Sequence, residues 1–123
     1  VISLDVGCSP SVSQGLSGYD ALRAGGVGHN VATVKPIDGF SRKFERLVAG
    51  VEGWQGPRDV LIVGAGAGGV ELALAVQHRL QETLRSHGRP PEWARVAIAS
   101  RSGRVMPNHA PAVSSIMARV LQE

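Results

Sequence analysis

Apolar and polar positions follow two different periods along the chain, and the period changes several times. From Val1 to Val6, apolar Ile2, Leu4 and Val6 alternate with polar Ser3 and Asp5, which predicts a half-buried strand. Gly7-Cys8-Ser9-Pro10 closes it with turn residues, and the Gly- and Ser-rich stretch 11–30 reads as loop with one helical turn at Tyr19–Arg23. Val31–Val34 is a short strand or extended segment closed by Lys35-Pro36. The period then lengthens: Phe40, Phe44, Leu47, Val48 and Val51 fall on one helical face, with Asp38 as the expected N-cap. Gly53–Pro57 breaks that helix, and Asp59–Val63 follows as a short, β-branched apolar run, the pattern of a buried parallel strand.

A glycine cluster, Gly64-Ala65-Gly66-Ala67-Gly68-Gly69, separates that run from a long helix expected from about Gly68 to Ser86. Ala73, Val76, Leu80 and Leu84 line its apolar face, and Gly88-Arg89-Pro90-Pro91 stops it. Arg95–Ala99 reads as a second buried strand and Ser100–Pro107 as loop. Val113, Ile116, Met117, Val120 and Leu121 then form the apolar stripe of a helix beginning near Pro111. From residue 59 the order is strand, glycine turn, helix, strand, helix. That order predicts an α/β fold containing a Rossmann-like parallel βαβ unit, with the second strand reached by a right-handed crossover.

Gly64-x-Gly66-x-x-Gly69 matches the dinucleotide fingerprint, in the right context between a strand and a helix. Gly64 would allow the tight turn, Gly66 the approach of a pyrophosphate to bare backbone, and Gly69 close packing of helix on strand. The helix N-terminus, with Gly68 in its first turn, would face the anion. A glycine-rich turn that binds nothing is the plain alternative. No Gly-Lys-Ser/Thr follows, so the turn is not a phosphate loop of the Walker type.

Glu71 has two readings: a carboxylate stabilising the first helical turn, or a group near the nicotinamide end of a bound cofactor. No acid ends the second strand to take a ribose hydroxyl. Ser100 and Arg101 follow Ala99 instead, and Arg101, helped by Arg104, would suit a 2′-phosphate. Both arginines also read as solvated loop charges. The distance from Gly69 to Ser100 is 100 − 69 = 31 residues, longer than the roughly 20 of the usual fingerprint.

Composition narrows the field further. The chain has 123 residues and a formal charge of +3, enough for one domain and too weakly basic to argue for nucleic acid. Its five aromatic residues do not interleave with basic ones, which argues against single-strand binding. One cysteine, Cys8, leaves no internal disulfide or Cys-x-x-Cys pair. The four histidines are scattered without metal-ligand spacing, and no Gly-x-Ser-x-Gly elbow supports hydrolase chemistry. Trp54 and Trp93 lie near breaks in the pattern, as caps on apolar helix ends. No apolar run reaches the roughly 18–20 residues of a transmembrane helix. The chain opens within a strand pattern and stops within a helical one, and so reads as a piece of a larger protein.

Taken together, these residues resemble the pyridine nucleotide-disulfide oxidoreductase superfamily of two-dinucleotide flavoproteins. The chain is most similar to NADH dehydrogenase-like members, including the type sometimes fused to selenide, water dikinase. Ile2–Pro10 is similar to the family's strand returning from the FAD domain. Val34–Ile37 and the aromatic helix after it resemble the crossover into the NAD(P) domain, and Val63–Glu71 the second glycine motif.

The resemblance implies a return segment of an FAD-binding domain at 1–35, a crossover helix and linker at 36–58, and the front of a Rossmann NAD(P)-binding domain at 59–123. It implies FAD and NAD(P)H as cofactors. Gly64, Gly66, Gly68, Gly69, Glu71, Ser100 and Arg101 would lie on the NAD(P) side, and Gly7 and Pro10 on the FAD side. Cys8 stands where the family often has Ser and has no partner, so no disulfide redox centre is expected. The whole protein would pass hydride from NAD(P)H through flavin to an acceptor that these residues do not identify. It would be cytoplasmic or peripheral to the inner membrane, with no metal and no nucleic acid. The isolated piece, with unpaired strand edges and the stripe Val113–Leu121 uncovered, is expected to be inactive and to self-associate. The alternative from another class is a non-catalytic nucleotide-binding or interaction module on the same fold.

Overall fold

The computed structural model describes the backbone of residues 2–5 and residues 31–122. The described residues contain four strands: β1 (Ile2–Asp5), β2 (Val31–Thr33), β3 (Arg58–Val63) and β4 (Ala94–Ala99). They form one parallel sheet in the order β2-β1-β3-β4. Among the described residues three α-helices accompany them: α1 (Ile37–Ala49), α2 (Ala67–Ser86) and α3 (Pro111–Val120). The fold is therefore α/β. β1 and β2, from the segment 1–35, are hydrogen-bonded into the same sheet as β3 and β4.

The strand pair expected from the apolar runs pairs in parallel, with Val60 opposite Val96 and Ile62 opposite Ile98. Val60 and Ile62 point into the core, while Leu61 and Val63 on the other face stay half-buried. α2 covers the core face. Its Ala73, Val76, Leu80 and Leu84 are all buried, the last two with no exposed surface. Burying each of those leucines contributes about 1.5–3 kcal/mol. The stop after α2 is a Schellman motif: Gly88 is left-handed at φ +65°, its N–H donates to the Arg85 carbonyl, and Arg89 N–H donates to the Leu84 carbonyl.

α1 shows two departures from the expected pattern. It starts at Ile37 after Pro36, whose carbonyl accepts from Gly39 and Phe40; Asp38 lies inside the first turn and does not cap it. There its carboxylate still opposes the positive end of the helix dipole. The helix stops at Ala49, and Val51 enters a 3₁₀ turn, Gly50–Gly53, where it is fully buried. Phe40 and Phe44 stack with ring centroids 5.8 Å apart. Lys43 Nζ donates to the Val31 carbonyl at 2.8 Å and ties α1 to β2. Trp54 is buried in the core rather than capping a helix end, and the Arg89 guanidinium lies 5.8 Å from the Trp93 ring centroid. The turn at Tyr19–Arg23 lies outside the described residues.

α3 lies on the same side of the sheet as α2, with Leu121, just past its end, packed against the common core. Its apolar stripe is not what it buries: Val113, Ile116 and Val120 are exposed, and Ser114 is its one buried residue. Among the described residues no helix is long and apolar enough to cross a membrane.

Candidate functional site

The glycine turn joins the C-terminal end of β3 to the N-terminus of α2. Gly64 sits at φ +119°, a conformation that disfavours any side chain, and its N–H donates to the Ala99 carbonyl at 2.8 Å. The ends of β3 and β4 are thus held together beside the turn. A Cβ on Gly69 would run into the Gly64 carbonyl oxygen and lie 2.9 Å from its carbonyl carbon. That contact is backbone against backbone, so only glycine lets α2 sit this close to the turn. Gly66 is the opposite case: it is exposed, and a Cβ there would meet no protein atom within 4 Å.

α2 begins at Ala67 with Gly66 as its N-cap, which offers no side chain to its first turn. The first intrahelical bond runs from Val70 N–H to the Gly66 carbonyl. The amides of Ala67, Gly68 and Gly69 therefore have no intrahelical acceptor and carry the positive end of the helix dipole. No acidic residue lies in that first turn. Glu71 is the fifth helical residue, exposed, and without a hydrogen bond or ion pair among the described residues. The reading of Glu71 as a first-turn stabiliser therefore fails, because the helix starts early enough to leave Glu71 in the second turn.

The loop after β4 runs over the turn. An open cleft of about 550 Å³ lies between it, the sheet and α3, lined among others by Ala65, Ile98, Ser100, Ser102, Arg104 and Ser114. Ser100 Oγ accepts from the Ser102 amide at 3.2 Å and lies 3.1 Å from Ser102 Oγ. Arg104 lines the cleft, but its Nη2 already donates to the carbonyls of Pro107 and His109, at 3.4 and 2.9 Å. Arg101 is exposed, does not line the cleft, and makes no hydrogen bond or ion pair among the described residues. The structure thus brings Gly64, Gly66, Gly68, Gly69 and Ser100 to one end of the sheet, with Arg101 next in the loop. Gly7, Cys8 and Pro10 lie outside the described residues.

Sequence reasoning missed a strap across this end of the sheet. Met106 N–H donates to the Ala65 carbonyl at 2.6 Å, and Ser114 Oγ donates to the Val105 carbonyl at 2.6 Å. Nothing in the pattern around Met106 announces the first bond. The second had one signal, a small polar residue beside Val113 at the start of an apolar stripe. Among the described residues no group of three or more His, Cys, Asp or Glu is placed to hold a metal. No protein-family model, curated protein or solved structure matches the chain.

Proposed function

We propose that the chain binds the pyrophosphate of a pyridine dinucleotide at the turn between β3 and α2, as part of an FAD-dependent NAD(P)H oxidoreductase. The observation that carries this reading is the division of labour among the three fingerprint glycines. Gly64 has the left-handed turn, Gly69 has no room for a side chain, and Gly66 is open with nothing of the protein above it. A merely structural turn needs the first two and has no use for the third. The unpartnered amides at the start of α2 supply donors for the charge.

In this reading Ser100 and Arg101, at the end of β4, take the ribose side, and Glu71 stands toward the nicotinamide. The lack of a carboxylate after Ala99 removes the group that would repel a 2′-phosphate, which favours NADPH over NADH. The flavin half of the proposal rests on the resemblance of Ile2–Pro10 to the strand returning from the FAD domain and of Val34–Ile37 to the crossover that follows it, in order before the glycine motif. When bound, flavin would accept hydride from the nicotinamide; the protein's share is position and electrostatics.

The test is Gly66→Ala. Its Cβ meets no protein atom, so the thermal midpoint should stay within a degree or two, the scale of an ordinary surface substitution. Affinity for NADH and NADPH should fall by about tenfold, because the added methyl displaces the phosphate from the backbone. Equal affinity in variant and wild type would sink the pyrophosphate assignment. A whole protein that binds the dinucleotide but shows no flavin absorbance would instead be a nucleotide-binding module without redox chemistry.

A further inference from the structure

We infer that Ser114 is a positioning residue for the proposed dinucleotide site: through the strap at Val105–Met106 it sets the direction in which the Gly66 amide points. This rests on the pyrophosphate reading of the glycine turn and adds a device that controls it.

The inference starts from the planarity of one peptide. The bond between Ala65 and Gly66 is trans, so the Ala65 carbonyl and the Gly66 N–H point in opposite directions. Met106 N–H holds that carbonyl at 2.6 Å. The Gly66 N–H is therefore directed away from the strap, and it has no acceptor among the described residues. Ala65 is buried, whereas Gly66 is exposed. The strap thus anchors the peptide from its inner side and leaves the donor on the open side, where an incoming anion can reach it. Without the bond from Met106, the Ala65–Gly66 peptide plane would be free to rotate about Ala65 ψ and Gly66 φ.

The strap is itself held from two sides. On the inside, Ser114 is 6% exposed and donates to the carbonyl of Val105, one residue before Met106. On the outside, Arg104 ties the loop to the carbonyls of Pro107 and His109. Met106 is the one described non-glycine residue at positive φ, +51°. A side chain there is uncommon and costs energy, and it persists where the surroundings over-determine the backbone. Ser114 is the buried part of those surroundings. Its position on α3 makes that helix, whose apolar stripe is exposed, a support for the loop.

The experiment titrates ADP-ribose, which carries the pyrophosphate without a nicotinamide, into wild type, Ser114→Ala, Ser114→Thr and Arg104→Gln. Amide hydrogen exchange at Met106 and Gly66 is measured in parallel. Wild type should bind, and Ser114→Ala should bind about tenfold more weakly with faster exchange at Met106. Ser114→Thr, which keeps the hydroxyl, should restore affinity to within about threefold of wild type. Arg104→Gln, which cuts exposed ties and leaves the core alone, should weaken binding in the same direction by about threefold.

A role in stability alone would lower the thermal midpoint in both Ser114 variants without separating them in affinity. Ser114→Ala binding like wild type while its Met106 amide exchanges faster would overturn the inference and leave the pyrophosphate reading intact. Failure of Ser114→Thr to recover affinity would overturn it as well. Wild type that binds neither ADP-ribose nor NAD(P)H would bring down the pyrophosphate reading first, and this inference with it.

Discussion

α2 and α3 are both amphipathic, both follow a strand, and both lie on one side of the sheet, yet they are held in different ways. α2 buries its entire apolar stripe, with Leu80 and Leu84 at zero exposure. α3 leaves Val113, Ile116 and Val120 at 37%, 50% and 39% exposure and is held by the Ser114 hydroxyl and by Leu121 beyond its end. The cause lies in the turns that precede them. Between β3 and α2 there are three residues, and Gly69 lets the helix touch the turn. Between β4 and α3 there are eleven, 100 to 110, and that loop with its cleft stands between the helix and the sheet. Hydrophobic periodicity announces a helix; the length and chemistry of the preceding turn decide whether its stripe reaches the core.

The strongest way to break this comparison is to truncate an equivalent aliphatic residue on each helix. Leu80→Ala should cost about 3 kcal/mol, the transfer loss of a buried leucine plus the cavity it leaves. Ile116→Ala, on a half-exposed site, should stay within about 0.5 kcal/mol. Denaturant midpoints at constant slope measure both. Similar losses at the two sites would mean that Ile116 is covered in solution, by a second copy of the chain or by another segment.

A smaller effect sharpens the account of α2. Gly88 carries the left-handed residue of the Schellman motif, and a Cβ there meets no other atom, so Gly88→Ala isolates backbone strain from packing. The expected loss is about 1 kcal/mol, offset only slightly by the reduced entropy of the unfolded chain. Gly88→Asn, which tolerates this conformation better, should recover part of it. If alanine is neutral, the motif opens in solution and the helix end is frayed.

Most of the β3–α2–β4 unit was legible because short-range signals agree there. The β-branched run at 60–63, the spaced glycines and the stripe Ala73–Leu84 all require the same strand–turn–helix. The two strands pair in parallel, as expected. Legibility failed where one local pattern had two outcomes. Asp38 has the chemistry of a cap, but the helix takes its first turn at Ile37. Val51 continues the helical period of α1, yet a 3₁₀ turn buries it equally well. Gly64 and Gly69 could be assigned by spacing, since each answers a local steric demand, whereas Gly66 answers none within the protein. The Met106–Ala65 bond joins positions 41 residues apart through backbone atoms alone, which no residue type encodes.

The weakest expected effect probes the face of the sheet opposite α2. Asp59 and Arg95 are register partners there, with the carboxylate 2.8 Å from Nε and 3.0 Å from Nη2, a two-pronged contact. Their side chains are 60% and 59% exposed, so water screens the pair and its contribution is small despite the good geometry. A double-mutant cycle with Asp59→Asn and Arg95→Gln should return a coupling below about 0.5 kcal/mol. At about 1 M salt, where the screening length falls to roughly 3 Å, the coupling should approach zero. The core beneath α2 should show no such salt dependence. A coupling well above 1 kcal/mol that survives high salt would require both charges to be shielded from water. Leu61, Val63 and Ala97 share the face of this pair, so such a result would mean that the face is covered in solution. A concentration dependence of the coupling would then identify a second copy of the chain as the cover, and concentration independence would exclude it.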